Sequence, residues 1–288
     1  MVNWRRWDLT TNALESLTRE AAALEPAHRL VTYVLDNEGD GTKRPVPDGV
    51  WFLTCADNLG YGGGNNFLAQ QAISDHADLD ALFVLNNDAT VEPGGLGSLL
   101  AIQATRPRVG IVGPLVILPS GAVESCGGHF GLKREWWTVY RPGQRTDFVS
   151  GAAFLVRKQA WESVGGFDLR YFHYAEDIDL ALEITRRGWE VVVTPDARVI
   201  HYKSQSPTTA WWLAYYKVRN LVLFWRKHRR LRTVGLNSLF NALRMLLPVR
   251  YLIRGQFTEA RWAWRGLFDG VRGIKGPLLL PDAKGRRS

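Results

Sequence analysis

The stretch ALFVLNND, residues 81–88, decides the fold class of this chain. Its first five residues are apolar and predict a strand that is buried on both faces, and the three polar residues after them predict a turn. Other segments follow the same alternation: apolar runs at residues 30–35, 50–54 and 109–116, and helical patterns at residues 66–74 and 95–105. Because buried strands that alternate with helices form parallel sheets, the sequence predicts an α/β fold with a mostly parallel sheet covered by helices on both faces.

Polar or glycine-rich segments follow three of these strands: Asp36, residues 58–66, and Asp88. In open α/β sheets, ligands bind at the carboxyl ends of the strands, so these segments predict one binding site at one edge of the sheet. A carboxylate such as Asp88 can hold a divalent cation against a diphosphate. The alternative for Asn86-Asn87-Asp88 is a plain turn, because Asn and Asp are common in turns.

Residues 58–66 read Asn-Leu-Gly-Tyr-Gly-Gly-Gly-Asn-Asn and lead into a predicted helix. Glycines let the backbone approach a ligand closely, and the start of a helix favours an anion. The segment has neither the spacing of a dinucleotide-binding fingerprint nor the Gly-Lys-Ser/Thr of a P-loop. A flexible loop without a ligand is the alternative.

The second half of the chain carries two further candidates. Residues 175–187 predict a helix with Glu176 and Asp177 at its start, where acids suit the helix dipole. One of these carboxylates could instead act as the general base that takes a proton from an attacking hydroxyl group. His201 follows a strand at residues 191–194 and is either a structural histidine or a metal ligand, provided that it lies near Asp88.

The charge is divided unevenly along the chain. From His201 onward there are 18 Lys and Arg residues against 3 Asp and Glu residues, a local net charge of +15, whereas the first 200 residues carry −7. This division predicts an acidic body and a basic tail that meets an anionic partner.

The two cysteines offer neither a disulfide framework nor a zinc site. No stretch reaches the roughly 18 uninterrupted apolar residues of a spanning helix.

Taken together and in this order, the segments resemble glycosyltransferase family 2, and within it the rhamnosyltransferase-like members. The matching segments span about residues 2–225: they are residues 2–4, 34–37, 58–66, 84–88, 150–153, 165–168, 174–179 and 199–201. The resemblance implies an A-type glycosyltransferase fold and an inverting, metal-dependent transfer of a sugar, rhamnose for example, from a nucleotide-diphosphate donor. The acceptor would be a glycan or a lipid-linked sugar.

The resemblance also implies a role for each matching residue. Asp177, beside Glu176, would be the catalytic base. Asp88 and His201 would hold the divalent metal, Mg²⁺ or Mn²⁺, on the donor diphosphate. The donor itself would be bound by Asp36, Asn58, Gly60, Gly64, Asn87, Gly151 and Ala152.

Two features depart from the family pattern. The usual metal motif contains two or three aspartates, whereas here only Asp88 is acidic. Family members also begin with an apolar strand that ends where residues 2–4 stand, and this strand is missing here. We expect its absence to leave a gap in the core and unpaired backbone groups, and we expect that the start of the chain is misassigned or the chain truncated.

The sequence predicts two regions, a catalytic domain at residues 1–205 and a basic, Trp-rich helical region at residues 206–288. Aromatic residues such as Trp211, Trp212, Trp262 and Trp264 alternate with Arg and Lys in the second region. Aromatic rings and long basic side chains suit the surface of an anionic membrane, which favours a cytoplasmic enzyme peripheral to the inner face of the cell membrane. Single-stranded nucleic acid is a weaker alternative without a supporting motif, so no nucleic-acid partner is expected. A solvated helical tail is the third interpretation.

Two other functions compete with sugar transfer. A degenerate transferase could bind a nucleotide sugar without chemistry; the missing strand and the single metal carboxylate favour this, whereas Glu176, Asp177 and His201 oppose it. A nucleotidyltransferase would make the sugar nucleotide instead of using it. That chemistry usually needs a basic phosphate-binding loop near the N-terminus, and residues 58–66 contain no Lys or Arg.

Overall fold

The computed structural model describes residues 1–38, 44–129, 143–203, 210–228 and 246–278. The predicted boundary between residues 205 and 206 lies outside these ranges, so the division into two regions stays a prediction. The strands are β1 (Val2–Asn3), β2 (Thr32–Asp36), β3 (Val50–Thr54), β4 (Ala81–Leu85), β5 (Ala89–Val91), β6 (Val109–Ile117), β7 (Val123–Ser125), β8 (Gln144–Arg145), β9 (Ala153–Arg157) and β10 (Glu190–His201). The helices are α1 (Trp7–Leu24), α2 (Gly60–Asp75), α3 (Gly95–Thr105), α4 (Lys158–Val164), α5 (Glu176–Arg186), α6 (Ala210–His228), α7 (Leu247–Ile253) and α8 (Phe257–Arg272).

The described strands form two sheets. In the smaller sheet β1, β2 and β3 are parallel neighbours. The larger sheet has the order β4-β9-β6-β10-β5, with β7 against β6 and β8 against β10. Strands β6 and β10 are parallel, and β9 lies antiparallel between β4 and β6, so that β4, β6 and β10 run in one direction. The predicted α/β class is confirmed.

Strand β6 is the centre of the larger sheet because its sequence is almost entirely apolar. Eight of its nine residues are buried, as a strand that helices cover on both faces requires. Pro114 lies inside this strand and has no N–H to donate to a neighbour. The register with β10 shifts between Thr194 and Arg198, directly after the pair of Pro114 and Thr194, and a bulge of this kind tolerates proline in a sheet.

A cavity of about 570 Å³ separates the two sheets. Tyr33 of β2 and Val84 of β4 line it from the two sides, and Leu68 of α2 and Leu96 of α3 line it from the two faces. Among the described strands, β2 pairs with β3 along its whole length and with β1 only at its carboxyl end, and β4 pairs with β9 alone. That the chain begins at the wrong residue or is truncated stays a prediction.

The glycine-rich segment differs from the loop that we predicted, because α2 already begins at Gly60 and not near residue 66. Two asparagine side chains hold the backbone before the helix: the Asn37 Oδ1 accepts the Leu59 N–H at 2.9 Å, and the Asn58 Oδ1 accepts the Gly60 N–H at 2.8 Å. The first turns then pack tightly against the protein itself. A Cβ on Gly64 would lie 2.9 Å from the Val2 side chain, so the helix could not approach β1 this closely with alanine there.

Helices α6 and α8 pack against each other through small residues. Ala260 and Ala263 of α8 are buried, and a Cβ on Gly266 would lie 2.3 Å from the Tyr215 carbonyl oxygen of α6. This close contact fixes which face of α8 points outward. None of the helices in the described ranges is long and apolar enough to cross a membrane.

Candidate active site

Asp88 and His201 are brought together at the end of β4, as a shared site requires. The His201 Nε2 lies 3.2 Å from the Asp88 Oδ1, because β5, which follows Asp88, pairs with the last residues of β10. The other ring nitrogen, Nδ1, lies 2.8 Å from the Oε2 of Glu124 on β7. Glu124 is held in turn by the Lys203 ammonium group at 3.0 Å. The histidine is therefore oriented by two carboxylates, one at each nitrogen.

Two carboxylates surround His201, so this cluster carries negative charge around the imidazole ring. Burial by itself lowers the pKa of His201, but the hydrogen bonds and negative charges of Asp88 and Glu124 raise that pKa to about 9. Among the described residues, no group of three or more His, Cys, Asp or Glu side chains forms a metal site on its own. A carboxylate oxygen and an imidazole nitrogen nevertheless fit a divalent cation whose other ligands are phosphate oxygens and water.

Asp177 is placed at the first turn of α5 by two backbone N–H groups. Its Oδ2 accepts the Gly151 N–H at 2.9 Å, and its Oδ1 accepts the Ile178 N–H at 2.8 Å. A Cβ on residue 151 would lie 2.9 Å from the Asp177 Oδ2, so only glycine leaves room for this carboxylate. Burial raises the pKa of Asp177, while the hydrogen bonds from Ile178 and Gly151 act in the opposite direction. The result is a half-buried, oriented carboxylate with raised basicity, a property that suits a general base.

Glu176, the residue before Asp177, is more deeply buried and has a different environment. Burial and the neighbouring Asp177 charge raise the pKa of Glu176 well above its usual value, and its Oε2 has no hydrogen-bond partner among the described residues. Tyr61 completes this part of the site by donating its hydroxyl hydrogen to the Gly151 carbonyl oxygen. The pKa of each of these two adjacent carboxyl groups is raised, and the titration of one depends on the charge of the other. The role of Asp177 as the base stays a prediction.

The loop before α5 is held by two side chains of α6. Asn220 donates to the carbonyl oxygens of Tyr171, His173 and Tyr174, at 2.8, 2.6 and 2.8 Å. Arg219, whose side chain is fully buried, donates to the Tyr171 carbonyl oxygen at 2.9 Å. This support is needed because the loop contains the left-handed residues Phe172, Tyr174 and Ala175, which are strained for residues other than glycine. Helix α6 therefore sets the position of the first turn of α5.

Asp36 and Asn87, two residues predicted to bind the donor, lie at the ends of strands in different sheets. Asp36 is buried at the end of β2, where it accepts hydrogen bonds from the Asn3 amide and the Arg44 guanidinium, both at 3.0 Å. Asn87 donates to Thr10 at 3.1 Å and to Asn3 at 3.3 Å. These bonds link the end of β2 to the end of β4, although the described strands of the two sheets do not pair with each other.

The other predicted donor-binding residues divide into two groups. Ala152 lies beside the metal candidate, because its carbonyl oxygen accepts the Asn86 N–H at 2.9 Å. Asn58 caps α2, and Gly60 and Gly64 contact Phe172 and Val2 within the protein. Their part in donor binding stays a prediction.

Sequence reasoning missed several residues that build the site. They are Asn3, Thr10, Arg44, Tyr61, Glu124, Arg219 and Asn220. Asn3 and Tyr61 stand inside segments that carry the family resemblance, but no role was assigned to either. The others act through tertiary contacts that no spacing in the sequence reveals. The one available signal was that Glu124 is an acid on a short strand within a largely apolar stretch.

Comparison with solved structures identifies the class of fold. The structure matches the mannosyltransferase PcManGT from Pyrobaculum calidifontis, solved with GDP-Man and Mn²⁺, with a TM-score of 0.58 over 94% of this chain and 85% of that chain, at 15% identity. It also matches GalNAc-T7, solved with UDP, GalNAc and Mn²⁺, with a TM-score of 0.52 over 75% of this chain, at 14% identity; there it spans about half (48%) of that chain. The fold is that of the A-type glycosyltransferases.

Sequence comparison identifies the family. Residues 82–270 match the model described as glycosyl transferase family group 2. The chain is 34% identical, over 223 residues, to the N-acetylglucosaminyl-diphospho-decaprenol L-rhamnosyltransferase of Mycobacterium tuberculosis, covering 66% of this chain and 73% of that protein. It is 32% identical to the O-antigen biosynthesis protein RfbC of Myxococcus xanthus over 58% of this chain and 14% of that protein. The chain belongs to glycosyl transferase family group 2.

Proposed function

We propose that the protein is an inverting glycosyltransferase that moves a sugar from a nucleotide-diphosphate donor to a glycan or lipid-linked acceptor. The observation that carries this proposal is the hydrogen bond from the Gly151 N–H to Asp177, which holds a half-buried carboxylate at the start of α5. The Gly151–Ala152 segment also contacts the end of β4, where Asp88 and His201 meet. The proposed base and the proposed metal ligands are thus joined through one short segment.

The chemistry follows from these positions. The Asp177 carboxylate accepts the proton of the acceptor hydroxyl group while that oxygen attacks the anomeric carbon, and the bond from this carbon to the nucleoside diphosphate breaks. Attack opposite to the leaving group inverts the anomeric configuration. Asp88 and His201 would hold Mg²⁺ or Mn²⁺, which when bound would offset the charge of the departing diphosphate. Asp36 and Asn87 would position the nucleoside end of the donor.

The names of the relatives suggest the substrates. One relative is an L-rhamnosyltransferase that acts on a decaprenol-linked sugar, which supports rhamnose on a nucleotide as the donor and a lipid-linked glycan as the acceptor. Enzymes that build cell-envelope polysaccharides on such lipids work at a membrane. We therefore propose that this protein acts in the cytoplasm, peripheral to the inner face of the cell membrane.

Donor binding and turnover test the proposal separately. The purified protein is titrated with a panel of nucleotide sugars in the presence and absence of Mn²⁺ or Mg²⁺, and release of the nucleoside diphosphate is then followed with candidate acceptors. We expect metal-dependent binding of one donor, lost in Asp88→Ala, and turnover lost in Asp177→Asn. Donor binding with no turnover for any acceptor would favour the alternative, a nucleotide-sugar-binding module without catalysis.

A further inference from the structure

Helix α8 presents one face to solvent that combines large apolar side chains with arginines. This aromatic–arginine face consists of Phe257, Arg261, Trp264, Arg265, Phe268 and Arg272. Its members recur every three or four residues, which places them along one side of a helix. The opposite side packs on α6 through Ala260, Ala263 and Gly266, so the face cannot turn inward without breaking that contact.

The exposure of this face is unusual for a protein surface. Phe257 is 71% exposed and Phe268 is 58% exposed, and Ile253 at the end of the neighbouring helix α7 is 81% exposed. Isolated apolar side chains on a surface need no explanation, but a contiguous group of large ones marks an interaction site. Val249 and Leu252 of α7 extend the exposed apolar area beside α8.

The charge around these apolar side chains is strongly positive. A groove of about 670 Å³ runs along α8 and the segment after it, and Arg261, Arg265, Arg272 and Lys275 line it together with Trp264 and Phe268. Of the described residues that line it, the one carboxylate is Asp269, which accepts a hydrogen bond from the Tyr215 hydroxyl group at 2.9 Å and lies 3.7 Å from the Arg265 guanidinium. The groove therefore carries an excess of positive charge next to apolar surface.

We propose that the aromatic–arginine face of α8, with the exposed end of α7, docks on a membrane surface that contains anionic phospholipid. Apolar side chains at its edge enter the boundary between headgroups and acyl chains, and the arginines pair with lipid phosphates. Trp264 suits the headgroup level, where an apolar ring with a polar N–H is favoured. The inference deepens the proposed function, on which it rests for the idea that the acceptor is held in a membrane.

Other occupants fit the observations less well. A second copy of the chain would bring the same arginines against each other, and like charges oppose such a contact. Single-stranded nucleic acid uses aromatic rings as stacking platforms, whereas Ile253 and Leu252 at the edge of this surface are aliphatic. Anionic lipid satisfies both the charge and the aliphatic edge.

The face also has a structural link to the active site. Helix α8 packs on α6, and α6 carries Asn220, whose side chain donates hydrogen bonds to the loop before α5. Docking through α8 would therefore place the proposed base, Asp177, at a defined height above the bilayer. This arrangement suits an acceptor whose lipid part stays in the membrane while its sugar reaches the base.

Vesicle co-sedimentation tests the proposal with the full chain. The protein is mixed with vesicles of phosphatidylcholine and phosphatidylglycerol, and in parallel with vesicles of pure phosphatidylcholine, at low and high salt. We expect binding to the anionic vesicles that weakens with salt, because screening reduces the attraction between exposed charges. No binding to anionic vesicles at low salt would overturn the proposal.

Two double variants and one control locate the surface. We expect Arg261→Gln with Arg272→Gln to weaken partition into anionic vesicles about 25-fold, since each basic residue near such a surface contributes about fivefold. The matched control removes two exposed arginines elsewhere, Arg108→Gln with Arg187→Gln, and should keep most of the binding. Equal losses in the two arginine pairs would show a general charge effect and would overturn the assignment to α8.

The second variant, Phe257→Ser with Phe268→Ser, keeps the charge and removes apolar surface. We expect at least tenfold weaker vesicle binding, with an unchanged unfolding transition because both side chains are exposed. If this variant instead converts a dimer into a monomer, or if an oligonucleotide binds the face and vesicles do not, the face has another occupant and the proposal is wrong. Donor binding without vesicles should be unchanged in every variant, so a failure of the proposed function remains distinguishable from a failure of this inference.

Discussion

Replacing Asp177 with asparagine should abolish transfer and at the same time relieve an electrostatic cost in the folded protein. The amide has nearly the shape of the carboxylate but cannot accept a proton. A general base contributes about 10²- to 10⁴-fold to a rate, which corresponds to roughly 3–5 kcal/mol of barrier. We expect the turnover number to fall by that factor while donor binding stays within about threefold of the wild-type value.

The effect on stability follows from the pKa of the same group. Burial raises the folded-state pKa of Asp177, so the folded protein binds this proton more tightly than the unfolded chain does. For a carboxyl group shifted in this direction, stability is lost as the pH rises from the unfolded pKa, 3.8, through the raised folded pKa. The asparagine side chain cannot ionise, and the substitution also removes the charge that raises the pKa of Glu176.

The measurable quantity is the difference in unfolding free energy between the variant and the wild type as a function of pH. We expect this difference to move in favour of Asp177→Asn from about pH 4 to about pH 7, by about 1.4 kcal/mol for each unit of pKa shift that the substitution removes. A constant offset of about 1 kcal/mol against the variant is expected, because asparagine has one acceptor oxygen for two backbone N–H groups. Urea unfolding at several pH values measures both contributions.

Two results would refute this reasoning. If the variant keeps more than a tenth of the wild-type turnover, Asp177 is not the base. If the stability difference does not change with pH, Asp177 does not have a raised pKa in the folded protein. Glu162→Gln, which removes an exposed carboxylate from α4, serves as the control and should change neither quantity.

Three further predictions concern the surroundings of the site. Gly151→Ala places a Cβ 2.9 Å from the Asp177 Oδ2, so we expect at least tenfold slower turnover at saturating donor; an unaffected rate would show that the contact is not needed. Glu124→Gln weakens the orientation of His201 and should lower Mn²⁺ affinity about 10- to 100-fold in a titration followed by electron paramagnetic resonance, whereas equal affinity would remove Glu124 from the site. Asn220→Ala removes one donor from three loop carbonyl groups, of which Tyr171 keeps the hydrogen bond from Arg219, and should cost about 1–3 kcal/mol in urea unfolding, with slower turnover; a change in stability alone would limit Asn220 to a structural role.

The sequence predicted the strands and helices whose period or composition is local. Strand β4, helix α3 and helix α5 were predicted within one residue of their observed limits, because an apolar run or an amphipathic pattern determines each of them. The glycine-rich segment was predicted as a loop because glycine disfavours helices. That prediction was wrong, since close packing on Val2 and Phe167 stabilises a helix that propensity alone would not form.

The sequence predicted the candidate site residues only where they stand in a local pattern or in a family motif. Asp88 and His201 were candidates because each follows a predicted strand, and the family resemblance gave them a shared role; their distance of 3.2 Å depends on the pairing of β5 with β10, which no local pattern shows. Glu124 and Asn220 were not predicted at all. Both act on residues far away in the chain, and a single sequence does not reveal which distant segments meet.

The division of the described strands into two sheets has a consequence for how a donor would be held. Asp36 belongs to the smaller sheet and Asp88 follows a strand of the larger one, and the described strands of the two sheets do not pair. The polar connection between them consists of the hydrogen bonds from Asn87 to Asn3 and Thr10. A donor that contacts Asp36 with its nucleoside and Asp88 with its diphosphate would bridge both sheets. Donor binding should therefore stabilise the relative position of the two sheets as well as the site itself, because a ligand that binds only the folded arrangement shifts the equilibrium toward it.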